Sequence, residues 1–111
     1  MTIEEIVKQL GLKSLTKYDG NATVSGVFAS DLLSDVMANS EEENFWITLQ
    51  KHPNTIAVAT LKDLAGIILV NNRKPDEETL EKAKEEGVAI FSTTMFTFEI
   101  CGKLYDLLRE L

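Results

Sequence analysis

Four basic side chains stand at equivalent places in two consecutive segments of this sequence, and together they could bind an anion. Lys51 and His52 follow one apolar run, and Arg73 and Lys74 follow the next. Each pair is followed directly by a proline, a residue well tolerated at the first position of a helix. Lysine and arginine bind phosphate and carboxylate groups through charge-assisted hydrogen bonds. The pattern therefore predicts two basic loops, each between a strand and a helix, that are suited to an anionic ligand.

The elements that would position these loops repeat along the chain. Residues 45–49, 67–70 and 89–91 are short apolar runs, as strands buried on both faces of a parallel sheet usually are. The helices predicted to follow these runs span residues 54–64, 76–86 and 97–111. Strict alternation of strand and helix is typical of α/β proteins. We predict one α/β domain over residues 1–111, a three-layer sandwich with a largely parallel sheet built from successive βα units.

Earlier segments extend the same pattern. Residues 14–18 are predicted to form an edge strand, residues 24–28 the next strand, and Ser30 the cap of a helix. The residues of that helix predicted to face the core are Leu32, Leu33, Val36 and Met37. Those of the last helix are Phe98, Cys101, Leu104, Tyr105 and Leu108.

Parallel strands direct their loops to one edge of the sheet, where ligands usually bind. Neighbouring strands lie about 5 Å apart, so the loops of adjacent units would share a site. The residues predicted to bind the ligand are Lys51, His52, Asn54, Asn71, Arg73, Lys74, Ser92 and Thr93. Helices that begin near Asn54 and Asp76 would direct free N–H groups toward the same edge. The alternative interpretation is ordinary loop polarity, since the acidic residues 76–78 would partly neutralise this edge.

Composition and charge exclude several classes of function. The chain has 111 residues and a formal net charge of −7, which repels phosphate backbones and anionic lipid. Neither a nucleic acid nor a membrane is therefore an expected partner. Cys101 is the only cysteine, so a disulfide within the chain and a cysteine-based zinc site are excluded. The longest uncharged stretch is too short to cross a bilayer and no signal-peptide pattern is present, so a cytoplasmic location is expected.

The common catalytic motifs are missing. No GxxxxGK[ST], GxGxxG or GxSxG pattern occurs, so no catalytic residue, cofactor or metal site is predicted. His52 is the single histidine. A small enzyme, the alternative interpretation, would have to use His52 with serine or threonine hydroxyls in a closed cleft.

Residues 24–37, with the sequence VSGVFASDLLSDVM, resemble small bacterial and archaeal proteins built around the DRTGG domain. Positions of a second stretch resemble the same proteins, namely Trp46, Ile47, Thr48, His52, Asn54, Ala57, Val58, Ala59, Ile67, Ile68 and Leu69. Residues 67–97 are also similar to the N-terminal domain of HPr kinase/phosphorylase, at Ile67, Arg73, Lys74, Pro75, Ala83, Gly87, Ser92, Thr93 and Thr97. The Asp-Arg-Thr-Gly-Gly pattern that names the domain is absent, and residues 50–54 stand near its place.

This resemblance implies an α/β domain without catalytic activity of its own. In larger proteins such a domain accompanies a kinase, a phosphotransacetylase or CBS-containing enzymes, for regulation or oligomerisation. We therefore expect a non-catalytic regulatory module, without a cofactor, that senses a small anionic metabolite or nucleotide. It would form a homodimer and could act with a partner kinase or metabolic enzyme. A pure protein-interaction adaptor is a further alternative.

Overall fold

The computed structural model describes residues 1–109, in which helices and strands alternate from the second strand onward. In chain order the elements are α1 (Ile3–Leu10), β1 (Lys13–Ser14), β2 (Gly26–Ala29), α2 (Leu33–Asn39), β3 (Asn44–Thr48), α3 (Asn54–Lys62), β4 (Gly66–Leu69), α4 (Glu77–Glu86), β5 (Ile90–Ser92) and α5 (Thr97–Leu108). The predicted helices 54–64 and 76–86 correspond to α3 and α4. The last helix was predicted to reach residue 111, and residues 110 and 111 lie outside the described part of the chain.

The five strands form one sheet in the order β1-β5-β4-β3-β2. The strands β2, β3, β4 and β5 are mutually parallel in this order, and only β1 runs antiparallel, along β5. Consecutive parallel strands are neighbours, so each connecting helix crosses over by one strand. The predicted α/β fold with a largely parallel sheet is confirmed.

Side chains of the inner strands alternate between two apolar layers. Phe45, Ile68 and Phe91 belong to the layer that packs against α1 and α5. Trp46 and Ile67 belong to the opposite layer, which packs against α2, α3 and α4. Because helices cover both faces, every residue of β3, β4 and β5 is buried. This explains why these strands read as unbroken apolar runs.

The buried face of α5 differs from the prediction. Phe98 and Tyr105 are 92% and 71% exposed, whereas Ile100 and Leu104 are fully buried. The helix carries apolar residues around more than half of its circumference, so spacing alone could not identify the face that meets the sheet. Cys101 is half-buried at the border of that face.

The start of α2 also differs from the prediction. The helix begins at Leu33, and Ser30 accepts a hydrogen bond from the backbone N–H of Leu32 (3.1 Å) instead of capping the helix. Leu32 is consequently 63% exposed and Met37 is also exposed, while Val36 is fully buried.

The predicted edge strand 14–18 is shorter in the structure, where β1 has two residues. Beyond them, the N–H of Leu15 donates to the carbonyl of Ile90 at 2.8 Å, and the hydroxyl group of Thr16 then continues the pairing. It donates to the carbonyl of Val88 and accepts from the N–H of Ile90, both at 3.0 Å. No helix among residues 1–109 is long and apolar enough to cross a membrane.

A capping box begins α1 and makes its stability depend on pH. Thr2 Oγ1 accepts from the N–H of Glu5, and the Glu5 carboxylate accepts from the backbone N–H of Thr2, each at 3.2 Å. The carboxylate also accepts from Thr2 Oγ1 at 3.0 Å, and the two bonds that Thr2 donates to it, the backbone one first, hold the pKa of Glu5 below its usual 4.5. A lowered folded-state pKa stabilises the native protein above the unfolded pKa, and this stabilisation is lost as pH falls through the folded value.

Replacing Glu5 with glutamine is therefore expected to lower the free energy of unfolding at neutral pH. The difference from wild type should shrink as pH falls below 4.5, because glutamine resembles the protonated acid. Urea unfolding of both proteins, from neutral pH to below pH 4.5, measures this difference in the free energy of unfolding. A difference that stays constant with pH would contradict the role assigned to the Glu5 carboxylate.

Candidate functional site

The loops that carry the predicted ligand-binding residues lie on one edge of the sheet. The strands β2 to β5 are adjacent and parallel, so their carboxyl ends meet there. The segment after β3 contacts the start of α4, since the carbonyl of Lys51 accepts from Thr79 Oγ1 (2.6 Å) and from the N–H of Asp76 (3.3 Å). We call the edge formed by residues 49–54, 70–76 and 92–95 the rim.

The loops after β4 and β5 are also joined at the rim. The N–H groups of Asn71 and Asn72 donate to the carbonyls of Met95 and Thr93, both at 2.8 Å. Asn71 and Asn72 have positive φ angles of 57° and 55°. Asparagine tolerates this left-handed region better than most residues, which allows the sharp reversal after β4. Arg73 and Lys74 follow this turn and are exposed.

The side chain of His52 caps a helix. It is exposed, and its Nδ1 accepts a hydrogen bond from the backbone N–H of Asn54 at 3.1 Å. Asn54 is the first residue of α3 and Pro53 its N-cap, so the imidazole accepts from one of the N–H groups left free at the start of this helix. Within residues 1–109 no carboxylate or hydroxyl group is hydrogen-bonded to this imidazole, so the arrangement required by the enzyme interpretation is missing from the described chain.

The cations of the rim have no anionic partners in the described structure. The one ion pair among residues 1–109 joins Arg109 to Asp106 at 3.2 Å. Lys51, Arg73 and Lys74 therefore have no carboxylate within salt-bridge distance, although the acidic start of α4 is close along the chain. Their charge remains available to a ligand.

A pocket of about 350 Å³ opens at the end of the rim beside β5. The rim contributes Asn72, Ser92 and Thr93, and the charged residues of the lining are Lys13 of β1 and Lys103 and Glu99 of α5. Thr93 Oγ1 accepts from the N–H of Met95 at 3.2 Å. The structure thus brings two of the predicted residues together with two lysines that the sequence analysis did not identify, and their separation along the chain left no signal.

The rim therefore has two parts. The remaining predicted residues lie at the surface outside this pocket: Lys51, His52, Asn54, Arg73 and Lys74. Ser92 and Thr93 lie in the pocket, as does Asn72, the neighbour of the predicted residue Asn71. No group of three or more His, Cys, Asp or Glu side chains in this part of the chain is placed to hold a metal ion.

Asp31 orders the start of the rim, and the sequence analysis missed it. Its Oδ1 accepts from Thr48 Oγ1 and from the N–H of Leu49, both at 2.7 Å. Its carbonyl oxygen accepts from Gln50 Nε2 at 2.9 Å. Three bonds thus attach the segment after β2 to the end of β3. Asp31 itself lies before α2, in the segment that follows β2.

Comparison with solved structures finds a similar fold. The chain is similar to the CBS and DRTGG domains of the regulatory region of a pyrophosphatase from Clostridium perfringens, a structure complexed with its activator, diadenosine tetraphosphate. The TM-score is 0.70 at 14% sequence identity, and the match covers 99% of this chain and 47% of that chain. No family model matches the sequence, and no match was found among curated proteins. The likeness shows a shared fold, and this chain spans about half the length of that chain.

Proposed function

We propose that this protein is a regulatory module that binds a small anionic metabolite or nucleotide at the rim. The observation that supports this best is the convergence of unpaired cations on one edge of an acidic protein. Lys51, Arg73 and Lys74 lie on loops at that edge, and Lys13 and Lys103 line its pocket, while the whole chain has a net charge of −7. An anion bound there gains Coulombic energy that the remaining surface does not offer.

The ligand is proposed to extend from the pocket onto the open surface. The hydroxyl groups of Ser92 and Thr93 would face its polar part, because both residues line the pocket. Arg73 and Lys74 would contact a phosphate or carboxylate further along the rim. The similar pyrophosphatase structure, which contains a nucleotide activator, comes from a regulatory region, and this agrees with a regulatory use of the fold.

The module is further proposed to act through association, as a homodimer that works with a partner kinase or metabolic enzyme. A domain without a catalytic site transmits a binding event only by changing what it contacts. A pure adaptor without a small ligand is the second candidate. It is favoured because the part of the rim that carries Lys51, Arg73 and Lys74 lies outside the pocket. Purification of a stoichiometric partner together with an empty rim would support that candidate instead.

Replacing Arg73 and Lys74 with alanine together is expected to weaken binding of the anionic ligand at least about tenfold, since each charge-assisted hydrogen bond contributes on the order of 1.5–3 kcal/mol. Thermal-shift measurements against a panel of nucleotides and phosphorylated metabolites would identify the ligand, and calorimetry would give its affinity. The matched control is Lys84→Ala, which removes an exposed charge near the end of α4, away from the rim.

Two results would count against the rim as the site. One is a flat thermal response of the wild-type protein to the whole panel. The other is a ligand that binds the Arg73/Lys74 double variant and Lys84→Ala equally well. Adding Lys103→Ala separates the pocket from the open surface, because only the pocket contains Lys103.

A further inference from the structure

We infer that the outer face of α5 is the surface through which two copies of this chain associate, as an antiparallel helix pair centred near Gly102. The inference rests on the self-association included in the proposed function and specifies its interface. Its starting point is the exposure of large aromatic side chains on α5. Phe98 is 92% exposed and Tyr105 71% exposed, although most aromatic residues of this size are largely buried in a monomer.

These residues form one continuous stripe. Phe98 and Tyr105 are seven positions apart, which is close to two helical turns, so both lie on the same face of α5. Gly102 lies between them on that face. The stripe borders a groove of about 400 Å³ between α5 and the edge strand β2, lined by Gly26, Val27, Ala29, Cys101, Tyr105 and Leu108, with Arg109 at its border. The groove is large enough to receive an aromatic side chain from a second copy.

No contact within residues 1–109 of the single chain requires glycine at position 102. A glycine inside a helix is less stable than alanine, because it loses more backbone entropy on folding. A methyl group at this position would meet no heavy atom within 4 Å outside its own helix. The absence of a side chain does allow the backbone of a second helix to approach closely. An axis near residues 101–102 would place Phe98 of one copy level with Tyr105 of the other.

The charges of this face select a second copy as the occupant. Two copies of a chain with a net charge of −7 repel each other over most of their surfaces. The exposed charged residues of the α5 segment are Glu99, Lys103, Asp106 and Arg109, and they sum to zero. By contrast, α4 has five glutamates and two lysines.

Sedimentation or light scattering over a range of concentrations tests this interface. Phe98→Ser and Tyr105→Ser are each expected to raise the dimer dissociation constant at least about tenfold, as is typical of aromatic residues at the centre of an interface. Leu61→Ser is the matched control, because Leu61 is 72% exposed on α3 and should leave the constant unchanged. Gly102→Ala is expected to raise the melting temperature of the diluted protein and to weaken the dimer. If Gly102→Ala stabilises the monomer but weakens the dimer, then Gly102 serves the interface and not the folding of the single chain.

Cys101 locates the interface independently. It is the only cysteine and borders the groove, so the dimer should shield it from alkylation by N-ethylmaleimide. Burial already raises the pKa of the Cys101 thiol in the single chain, so all rates are compared at one pH. The labelling rate should fall with rising concentration in wild type and Leu61→Ser, and stay constant in Phe98→Ser.

The outcomes distinguish self-association in general from the α5 interface in particular. A wild-type protein that stays monomeric at high concentration would overturn both the self-association and this interface, without bearing on ligand binding at the rim. A wild-type dimer that survives Phe98→Ser and leaves Cys101 labelling independent of concentration would overturn the α5 interface alone. Association would then use another face, such as the one formed by Met37 of α2 and Leu32 just before it, both exposed.

Discussion

Replacing Trp46 with alanine is expected to lower the free energy of unfolding by about 3–5 kcal/mol, the range found for large aromatic residues in protein cores. Trp46 is fully buried on β3, between β2 and β4, in the layer covered by α2, α3 and α4. Its indole Nε1–H donates to the carbonyl of Ser30 at 2.8 Å. The substitution therefore opens a cavity and removes a hydrogen bond. Small domains have a total stability of about 5–15 kcal/mol, so much of it would be lost.

Two controls separate cavity formation from loss of the hydrogen bond. Trp46→Phe keeps an aromatic ring but cannot donate to Ser30, so its cost should be smaller than that of alanine. Leu61→Ala removes an apolar side chain that is 72% exposed and should change stability by about 0.5 kcal/mol or less. Urea unfolding followed by far-UV circular dichroism is the appropriate measurement, because Trp46 is the only tryptophan and its fluorescence is lost. Equal midpoints for Trp46→Ala and Leu61→Ala would contradict the central position of Trp46.

The inner part of the fold could be predicted from the sequence because the repeated units have a strong physical signature. A strand buried on both faces is mostly apolar, and β3 to β5 show this as apolar runs whose only polar residues, Asn44, Thr48 and Ser92, stand at strand ends. The helix α4 has acidic residues in its first turn, Lys84 near its end and Gly87 with a positive φ angle beyond it. These local signals arise from the chain itself and do not depend on tertiary contacts.

The helix faces could not be predicted in the same way. The burial of Ile100 and the exposure of Phe98 depend on which side of α5 meets β2 and β3. Both residues are apolar, so the sequence contains no contrast between the two sides. If a second copy covers Phe98 and Tyr105, there is a physical reason why the sequence does not show which face of α5 meets the sheet. A helix that packs on the sheet and on a partner needs two apolar faces.

The sequence predicted only those residues of the candidate site that lie on the loops of the repeated βα units. The positions of Lys51 and Arg73 on one edge follow from adjacent parallel strands, and the structure has that arrangement. Lys13 comes from β1, which lies outside the repeated βα units, and Lys103 comes from the middle of α5, beyond the loop that follows β5. Asp31 was missed because its hydrogen bonds reach residues 17 and 18 positions away. No spacing rule connects side chains over such distances.

Replacing Asp31 with alanine is expected to lower the free energy of unfolding by about 1–2 kcal/mol, toward the lower end of the range for hydrogen bonds to charged groups because the residue is exposed. The Asp31 carboxylate accepts from the N–H of Leu49 and from the hydroxyl group of Thr48, which is 2% exposed. Without it, the Thr48 hydroxyl loses its acceptor, and water can only partly replace it at this buried position. The amide of Leu49, at the start of the rim, should also exchange its hydrogen faster.

Asp35→Ala is the matched control for this loss of charge. Asp35 lies four positions later, and its carboxylate accepts only from Asn39 Nδ2, at 2.8 Å on the same helix. Both variants change the net charge equally, so a general electrostatic effect would shift their urea midpoints alike. A lower midpoint and faster Leu49 exchange in Asp31→Ala alone would assign the effect to the two bonds that join the end of β2 to the end of β3. Equal midpoints and unchanged Leu49 exchange would mean that the rim is ordered by its backbone contacts, with Asp31 contributing nothing.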